Sequence, residues 1–254
     1  MLYTRESGNP NSPAIIFLHG GGLSSKSWIP VMERLGDFYC LAPDLPEQGE
    51  SKAIQFTIDG SAEAVVEVIR QKVPGRKVHL VALSLGGPVA LTLLRTHPEL
   101  IDHVILSGSS GHFPGWLAGL GKSTVWMYKL YKRDYLVNAT LKQQGIPEQY
   151  TDLLREDLYQ SISPDFMRHY MGELARWELP ERVDSPLLIV VGEKEQKASY
   201  GISRGYLKRY PGSCGIVAAG TGHAWCLQSP DLFATMVRSW VTNQPLPAEL
   251  EKKL

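Results

Sequence analysis

The chain has 254 residues, of which 43% are hydrophobic and 20% are charged, and 26 Lys and Arg residues balance 26 Asp and Glu residues. This length suffices for one large domain with an insertion, and the balanced charge argues against a partner held by bulk electrostatics, such as nucleic acid or an acidic membrane surface. No apolar run reaches the ~18 residues of a membrane-spanning helix, so we expect no membrane span.

The amino-terminal segment MLYTRESGNPNSPA has no apolar centre, so we do not interpret it as a signal peptide. Its residues 2–6 weakly indicate an antiparallel strand. The three cysteines (Cys40, Cys214 and Cys226) have no metal-ligand spacing and do not form an even set. We therefore expect reduced thiols and a cytoplasmic protein.

Short apolar runs rich in β-branched residues then alternate with helical patterns along the chain. The strand-like runs are nearly continuous in apolar character, as strands buried on both faces should be. This alternation predicts an α/β fold: a mostly parallel, doubly wound sheet with helices on both faces. The predicted strands are 14–20, 38–44, 78–84, 103–109, 187–193 and 215–220, and the predicted helices lie near 27–35, 60–72, 86–96, 200–209 and 230–242.

One long interval, residues 112–179, interrupts the alternation with helix-like stretches rich in aromatic residues. A structureless loop of that length inside a compact domain is improbable. We therefore predict a helical cap over 112–179, inserted into a core formed by 1–111 and 180–254.

A lone serine, Ser84, lies where the third core strand meets a helix in the stretch VHLVALSLGGPVALTLL. Ala82, Ser84 and Gly86 fit the small-x-Ser-x-Gly pattern of a nucleophile elbow, although Gly is more usual than Ala at the first position. A helix N-cap is the competing interpretation of this serine.

The stretch FLHGGG follows the first core strand, and its glycines allow backbone amides to converge on one oxygen. Beside an elbow we interpret it as an oxyanion hole, with the N–H groups of Leu85 and Gly21 as donors and Gly22 as a weaker candidate. We expect His19 to brace this loop rather than to react.

A serine nucleophile needs a base, and the base needs a carboxylate that orients it. Glu193 and Glu195 follow the strand LLIVVG, and His223 follows the next strand. The carboxyl ends of parallel strands share one edge of the sheet, so Ser84, Glu195 and His223 should meet there in the order nucleophile, acid, base. Glu193 is the alternative acid.

The segments FLHGGGLSSKSW, APDLPEQGES, VALSLGGPVAL, LLIVVGEKE and GTGHAW resemble the α/β-hydrolase superfamily in order and separation, over essentially the whole chain. The resemblance implies Ser84, Glu195 and His223 as the triad. Three features depart from the family pattern besides Ala82: Glu47 replaces a glycine, Gln48 replaces a common histidine, and the acid is Glu rather than Asp.

The expected activity is cofactor-free and metal-free cleavage of carboxylic esters through an acyl-enzyme, by a monomer or small homo-oligomer acting on a small molecule. We expect the cap aromatics to shape an apolar pocket for small or medium uncharged esters. The candidate pocket residues are Gly22, Trp116, Trp126 and Trp225. Two alternatives stay open: cleavage of a carbon–carbon, lactone, thioester or amide bond by the same triad, and slow-turnover ligand binding or signalling.

Overall fold

The computed structural model describes residues 1–112, 130–161, 164–250 and 252–254. Within these ranges one seven-stranded sheet has the strand order β1-β3-β2-β4-β5-β6-β7. Only β1 runs antiparallel, against β3, which matches the weak amino-terminal strand expected from the sequence. The strands are β1 (Thr4–Ser7), β2 (Ala14–Leu18), β3 (Tyr39–Pro43), β4 (Val78–Leu83), β5 (Ile101–Ser107), β6 (Leu187–Gly192) and β7 (Cys214–Ala218).

The central strands are buried on both faces, which explains their continuous apolar sequences. In β2, Ile16 and Leu18 belong to one core cluster, whereas Ile15 and Phe17 belong to a second cluster on the other face. Successive side chains of a strand point to opposite faces, so a strand between two helical layers must be apolar at every position. The predicted mostly parallel, doubly wound α/β sheet is confirmed.

Helices pack on both faces of this sheet. The predicted helix 27–35 is shorter than expected: a 3₁₀ turn over Ser25–Trp28 leads into a single α-helical turn. By contrast, the second helix begins earlier than predicted, because the Thr57 hydroxyl accepts from the Gly60 N–H and caps it. The helices of this core are α1 (Ile29–Met32), α2 (Ile58–Lys72), α3 (Gly86–Thr96), α7 (Lys197–Arg209), α8 (Trp225–Gln228) and α9 (Pro230–Val241).

Three further helices lie in the interval predicted as a cap: α4 (Arg133–Gln144), α5 (Thr151–Ser161) and α6 (Pro164–Arg176). The sequence patterning anticipated helices here, and the cap boundaries 112–179 stay a prediction. Two of the proposed pocket residues, Trp116 and Trp126, lie outside the described residues.

Specific hydrogen bonds fasten these helices to the core. The Glu173 carboxylate on α6 accepts from the Ile58 N–H at 2.9 Å, at the amino end of α2. On α5, the buried Asp157 accepts from Lys26 Nζ at 2.8 Å and from the Ser24 hydroxyl. These bonds fasten α5 and α6 to the core. No helix in the described part of the chain has both the length and the apolarity needed to cross a bilayer.

Candidate active site

Ser84 occupies a sharp turn between β4 and α3. Its backbone is left-handed, with φ of 51°, which is uncommon for a residue that carries a side chain. Hydrogen bonds hold the turn from two sides: the Ser84 N–H donates to the Ser107 carbonyl, and the Ser84 carbonyl accepts from the Gly87 and Ser110 N–H groups, each at 3.0 Å. Such imposed strain is typical of functional positions and is the geometry of a nucleophile elbow.

The small residues around Ser84 have a steric cause. A Cβ atom at Gly86 would lie 2.5 Å from the Leu18 carbonyl oxygen of the neighbouring strand. Ala82, which stands where the elbow pattern usually has glycine, is fully buried in the core and is paired with Leu18 in the sheet register. The methyl group at position 82 is therefore accommodated, whereas position 86 requires glycine.

The two residues of the predicted oxyanion hole, Gly21 and Leu85, lie beside this serine. A Cβ atom at Gly21 would lie only 3.3 Å from Leu85 Cδ1, so the two residues are adjacent although they are far apart in sequence. Within the described ranges, neither of their N–H groups donates to a protein acceptor. The Gly22 N–H, in contrast, donates to Gln48 Oε1 at 2.7 Å. The geometry thus favours Gly21 and Leu85 over Gly22 as oxyanion donors.

His19 supports the glycine loop through both ring nitrogens. Its Nδ1–H donates to the Gly20 carbonyl at 2.9 Å, and its Nε2 accepts from the Leu45 N–H at 2.9 Å. Complete burial lowers the pKa of this imidazole, so it stays neutral and keeps one donor and one acceptor. His19 braces the loop, as its position before the glycines suggested.

His223 and Glu195 form a hydrogen-bonded pair in the loops after β7 and β6. His223 Nδ1 donates to Glu195 Oε2 at 2.8 Å, and Glu195 Oε1 accepts from the Gly192 N–H at 2.9 Å. Burial alone would raise the pKa of Glu195, whose side chain is 1% exposed, but the hydrogen bond and charge of His223 and the Gly192 N–H lower it overall. Glu195 is thus a carboxylate that fixes the ring of its partner.

The alternative acid, Glu193, points elsewhere. Its carboxylate pairs with Lys252 at 2.6 Å and accepts from the Gly220 N–H at 2.9 Å, on the exposed side of the loop. These contacts hold it away from His223, so the geometry favours Glu195 as the orienting acid.

The end of β5 brings the pair to the nucleophile. Ser107 accepts the Ser84 N–H, and the next residue, Gly108, has φ of 51° and packs against the pair. A Cβ atom at Gly108 would lie 2.8 Å from His223 Nδ1 and 3.0 Å from Glu195 Oε2. Among the described residues no hydrogen bond joins the Ser84 hydroxyl to the imidazole, and catalytic pairs are often long before substrate binds.

Two adjoining cavities of about 260 and 250 Å³ open onto these groups. The first contains Ser84 and the second contains Glu195 and His223. Gln143 and Gln144, at the end of α4, line both. The other residues lining the Ser84 cavity are Gly21, Gly22, Thr140, Leu158, Ser161, Phe166, Met167 and Tyr170.

The prediction that Trp225 lines the substrate pocket requires correction. Its ring is fully buried in the core, 4.5 Å from the Phe233 ring, and its indole N–H donates to the Ser107 hydroxyl at 2.8 Å. Trp225 is close to His223 in sequence but does not face the cavity, because it begins helix α8 and its side chain points into the core. Of the cap aromatics, Phe166 and Tyr170 do line the cavity and stack at 6.1 Å.

One structural residue near His223 has no signal in the sequence. Gln228 Oε1 accepts from the Gly222 N–H at 2.8 Å, and its Nε2 donates to the Gly145 carbonyl at 2.6 Å. The Ala224 N–H also donates to the Gln144 carbonyl at 3.0 Å. Both neighbours of His223 are therefore tied to the carboxyl end of α4. Gln228 is one polar residue in a short helix, and its sequence position does not reveal that it joins the His223 loop to α4.

Comparison with known proteins shows the family to which the chain belongs. A family model described as alpha/beta hydrolase fold matches residues 13–143. The chain is 27% identical to the pimeloyl-[acyl-carrier protein] methyl ester esterase of Nitrosomonas europaea, over 89% of this chain and 94% of the relative.

Solved structures share the fold at lower identity. A thermophilic esterase from Thermogutta terrifontis superimposes with a TM-score of 0.80 at 18% identity, covering 95% of this chain and 93% of the other. The enol-lactonase from Burkholderia xenovorans gives 0.78 at 18% identity, covering 95% and 96%. With the family model matching more than half of its residues, the chain belongs to the alpha/beta hydrolase fold family.

Proposed function

We propose that this protein is a serine hydrolase that cleaves carboxylic esters through an acyl-enzyme, with Ser84 as nucleophile, His223 as base and Glu195 as orienting acid. The observation that carries the proposal is the buried Glu195–His223 hydrogen bond of 2.8 Å, placed against Gly108 beside the strained Ser84 turn. The similarity to a methyl ester esterase supports the same reaction class.

In the first half of the cycle, His223 Nε2 takes the Ser84 proton as the hydroxyl oxygen attacks the ester carbonyl carbon. Glu195 holds the Nδ1–H and stabilises the imidazolium that forms. The carbonyl oxygen becomes an oxyanion, which accepts from the Gly21 and Leu85 N–H groups. Such a donor typically contributes ~3 kcal/mol to stabilisation of the transition state.

The imidazolium then protonates the leaving alkoxide, and the alcohol departs to leave an acyl-serine ester. Water enters, His223 removes its proton, and the hydroxide attacks the acyl carbon in the same oxyanion hole. Collapse of that intermediate returns the proton to Ser84 and releases the carboxylic acid. No cofactor takes part in this cycle.

The cavity at Ser84 supports a proposal about the substrate class. Its volume of about 260 Å³ is below the ~300–1,000 Å³ of sites for drug-sized ligands, so a short acyl group fits best. Its described lining residues include no charged side chain. Leu158, Phe166 and Met167 supply apolar contact, and we propose small or medium uncharged esters as substrates.

A series of p-nitrophenyl esters of rising acyl length tests the proposal. Rapid turnover that peaks at short chains and disappears in Ser84→Ala supports it. Slow or single turnover combined with tight ligand binding would instead favour a ligand-binding member of the family. A fluorophosphonate probe should label the protein, and mass spectrometry should place the adduct on Ser84; an adduct on another serine would refute the assignment.

A further inference from the structure

Two histidines and an aspartate cluster at the amino edge of the sheet, whereas Ser84 lies at the carboxyl edge. His79 is the second residue of β4, and Asp102 and His103 are the second and third residues of the adjacent β5. The two imidazole rings approach edge to face, with centroids 5.3 Å apart. Each residue offers one ligand atom, and these three atoms all lie within 4.8 Å of one another.

An irregularity in strand pairing creates this cluster. Val78 pairs with Ile101, but the next pair is Leu80 with Val104, so His79 faces two residues of β5 rather than one. Such a bulge re-aims side chains that would otherwise alternate between faces, and it is rare between parallel strands. As a result, Asp102 Oδ1 lies 3.1 Å from His103 Nδ1 and Oδ2 lies 3.9 Å from His79 Nδ1.

The second ring nitrogen of His103 is held as it is in many metal sites. His103 Nε2 donates to Asn243 Oδ1 at 3.1 Å, just beyond the end of α9. The other ring nitrogen, Nδ1, is within hydrogen-bond distance of Asp102 Oδ1 at 3.1 Å, and a metal ion can take the place of the proton shared by that pair.

His79 has a buried ring nitrogen without a hydrogen-bond partner among the described residues. Its side chain is 10% exposed, and its Nδ1 is buried with no hydrogen-bond partner in the part of the chain that the structure describes. An unpaired buried polar atom is costly, so such an atom calls for a ligand.

We propose that His79 Nδ1, His103 Nδ1 and the Asp102 carboxylate bind a divalent transition-metal ion, with Zn²⁺ as the best match. Two imidazoles and one carboxylate suit Zn²⁺, which binds them at ~2.0–2.2 Å in a tetrahedral arrangement. A water molecule would be the fourth ligand. The half-exposed Asp102 side chain can turn to shorten the present separations. The ion would join the amino ends of β4 and β5 and stabilise the fold.

Zinc binding to the full-length, chelator-treated protein tests this site by calorimetry and by the zinc-induced rise in melting temperature. We expect one site whose affinity falls at least ~10-fold in both His79→Gln and Asp102→Asn. His97→Gln is the matched control, because His97 is a surface histidine paired with Glu63 and should not contribute. X-ray absorption at the zinc edge should show two imidazole ligands in wild type and fewer in His79→Gln.

The proposal is overturned if wild type binds no zinc, or if both variants bind it as tightly as wild type and His97→Gln. Should His79→Gln fail to fold, Asp102→Asn decides alone, because its side chain is half exposed and keeps its size. Esterase activity does not enter these measurements, so their outcome is independent of the role assigned to Ser84.

Discussion

Glu193 and Glu195, in the loop after β6, give the sharpest test of the site, because they are two residues apart and contact different partners. In Glu195→Gln, the amide can present N–H groups toward His223 Nδ1, which disfavours the tautomer with the Nδ1 proton. The substitution also removes the negative charge opposite the imidazolium that forms in the transition state. The wild-type carboxylate lies 2.8 Å from the ring and its side chain is 1% exposed, so water screens this interaction little.

The magnitude follows from the Coulomb energy of such a pair. At ~4 Å between charge centres and an effective dielectric constant of ~20, one charge pair contributes ~4 kcal/mol. At ~1.4 kcal/mol per factor of ten, that energy corresponds to a ~10³-fold fall in kcat. Glu193→Gln removes only an exposed pair with Lys252, and kcat should change by less than ~2-fold.

The assay is steady-state hydrolysis of a short p-nitrophenyl ester at neutral pH, with KM measured in parallel. KM should change little in Glu195→Gln, because the acid does not contact the ground-state substrate. Equal losses in the two variants, or a larger loss in Glu193→Gln, would refute the assignment of Glu195. Circular dichroism of both variants checks that a loss of rate is not a loss of fold.

Three further outcomes are expected. Gly86→Ala should lower the free energy of unfolding in urea by ~1–3 kcal/mol, because its Cβ would lie 2.5 Å from the Leu18 carbonyl oxygen. Gly36→Ala is the control and should leave that free energy nearly unchanged, because nothing lies within 4 Å of its new Cβ atom. Gln228→Ala should lower kcat several-fold and change the melting temperature little, since it frees the Gly222 N–H beside His223. An unaltered kcat would contradict the positioning role of Gln228. With chelator present, the free energy of unfolding should fall by ~3 kcal/mol as pH drops from about 6.5 to about 4, because the folded-state pKa of His79 lies below its usual value and the unfolded chain takes up the proton first. His79→Gln should flatten this part of the plot of unfolding free energy against pH, and an unchanged slope would rule out His79 as its source.

The sheet and the site differ in how far the sequence predicts them. Strands such as β2 are apolar at every position, and this pattern has few interpretations other than burial on both faces. Ser84, Glu195 and His223 could be named because each follows a parallel strand, and such strands deliver their carboxyl ends to one edge. The sequence favours Glu195 but keeps Glu193 as the alternative acid, because both glutamates lie in the same loop.

Tertiary contacts decide the remaining features. Trp225 is amphipathic and adjacent to His223, and only the packing against Phe233 shows that it faces the core. Gln143 and Gln144 end a weakly amphipathic helix, and nothing local marks them as cavity residues. The bulge at Asp102 and His103 depends on pairing with another strand, so no periodicity within β5 reveals it.

The bonds that join the end of α4 to the His223 loop have a consequence for how the protein admits its substrate. Gln144 and Gly145 carry the carbonyls that hold Ala224 and Gln228, and Gln143 and Gln144 line both cavities. A substrate too large for the two cavities would have to push the end of α4 outward, and this movement would release the loop that carries His223. Size selection would then act through the rate of proton transfer as well as through steric exclusion.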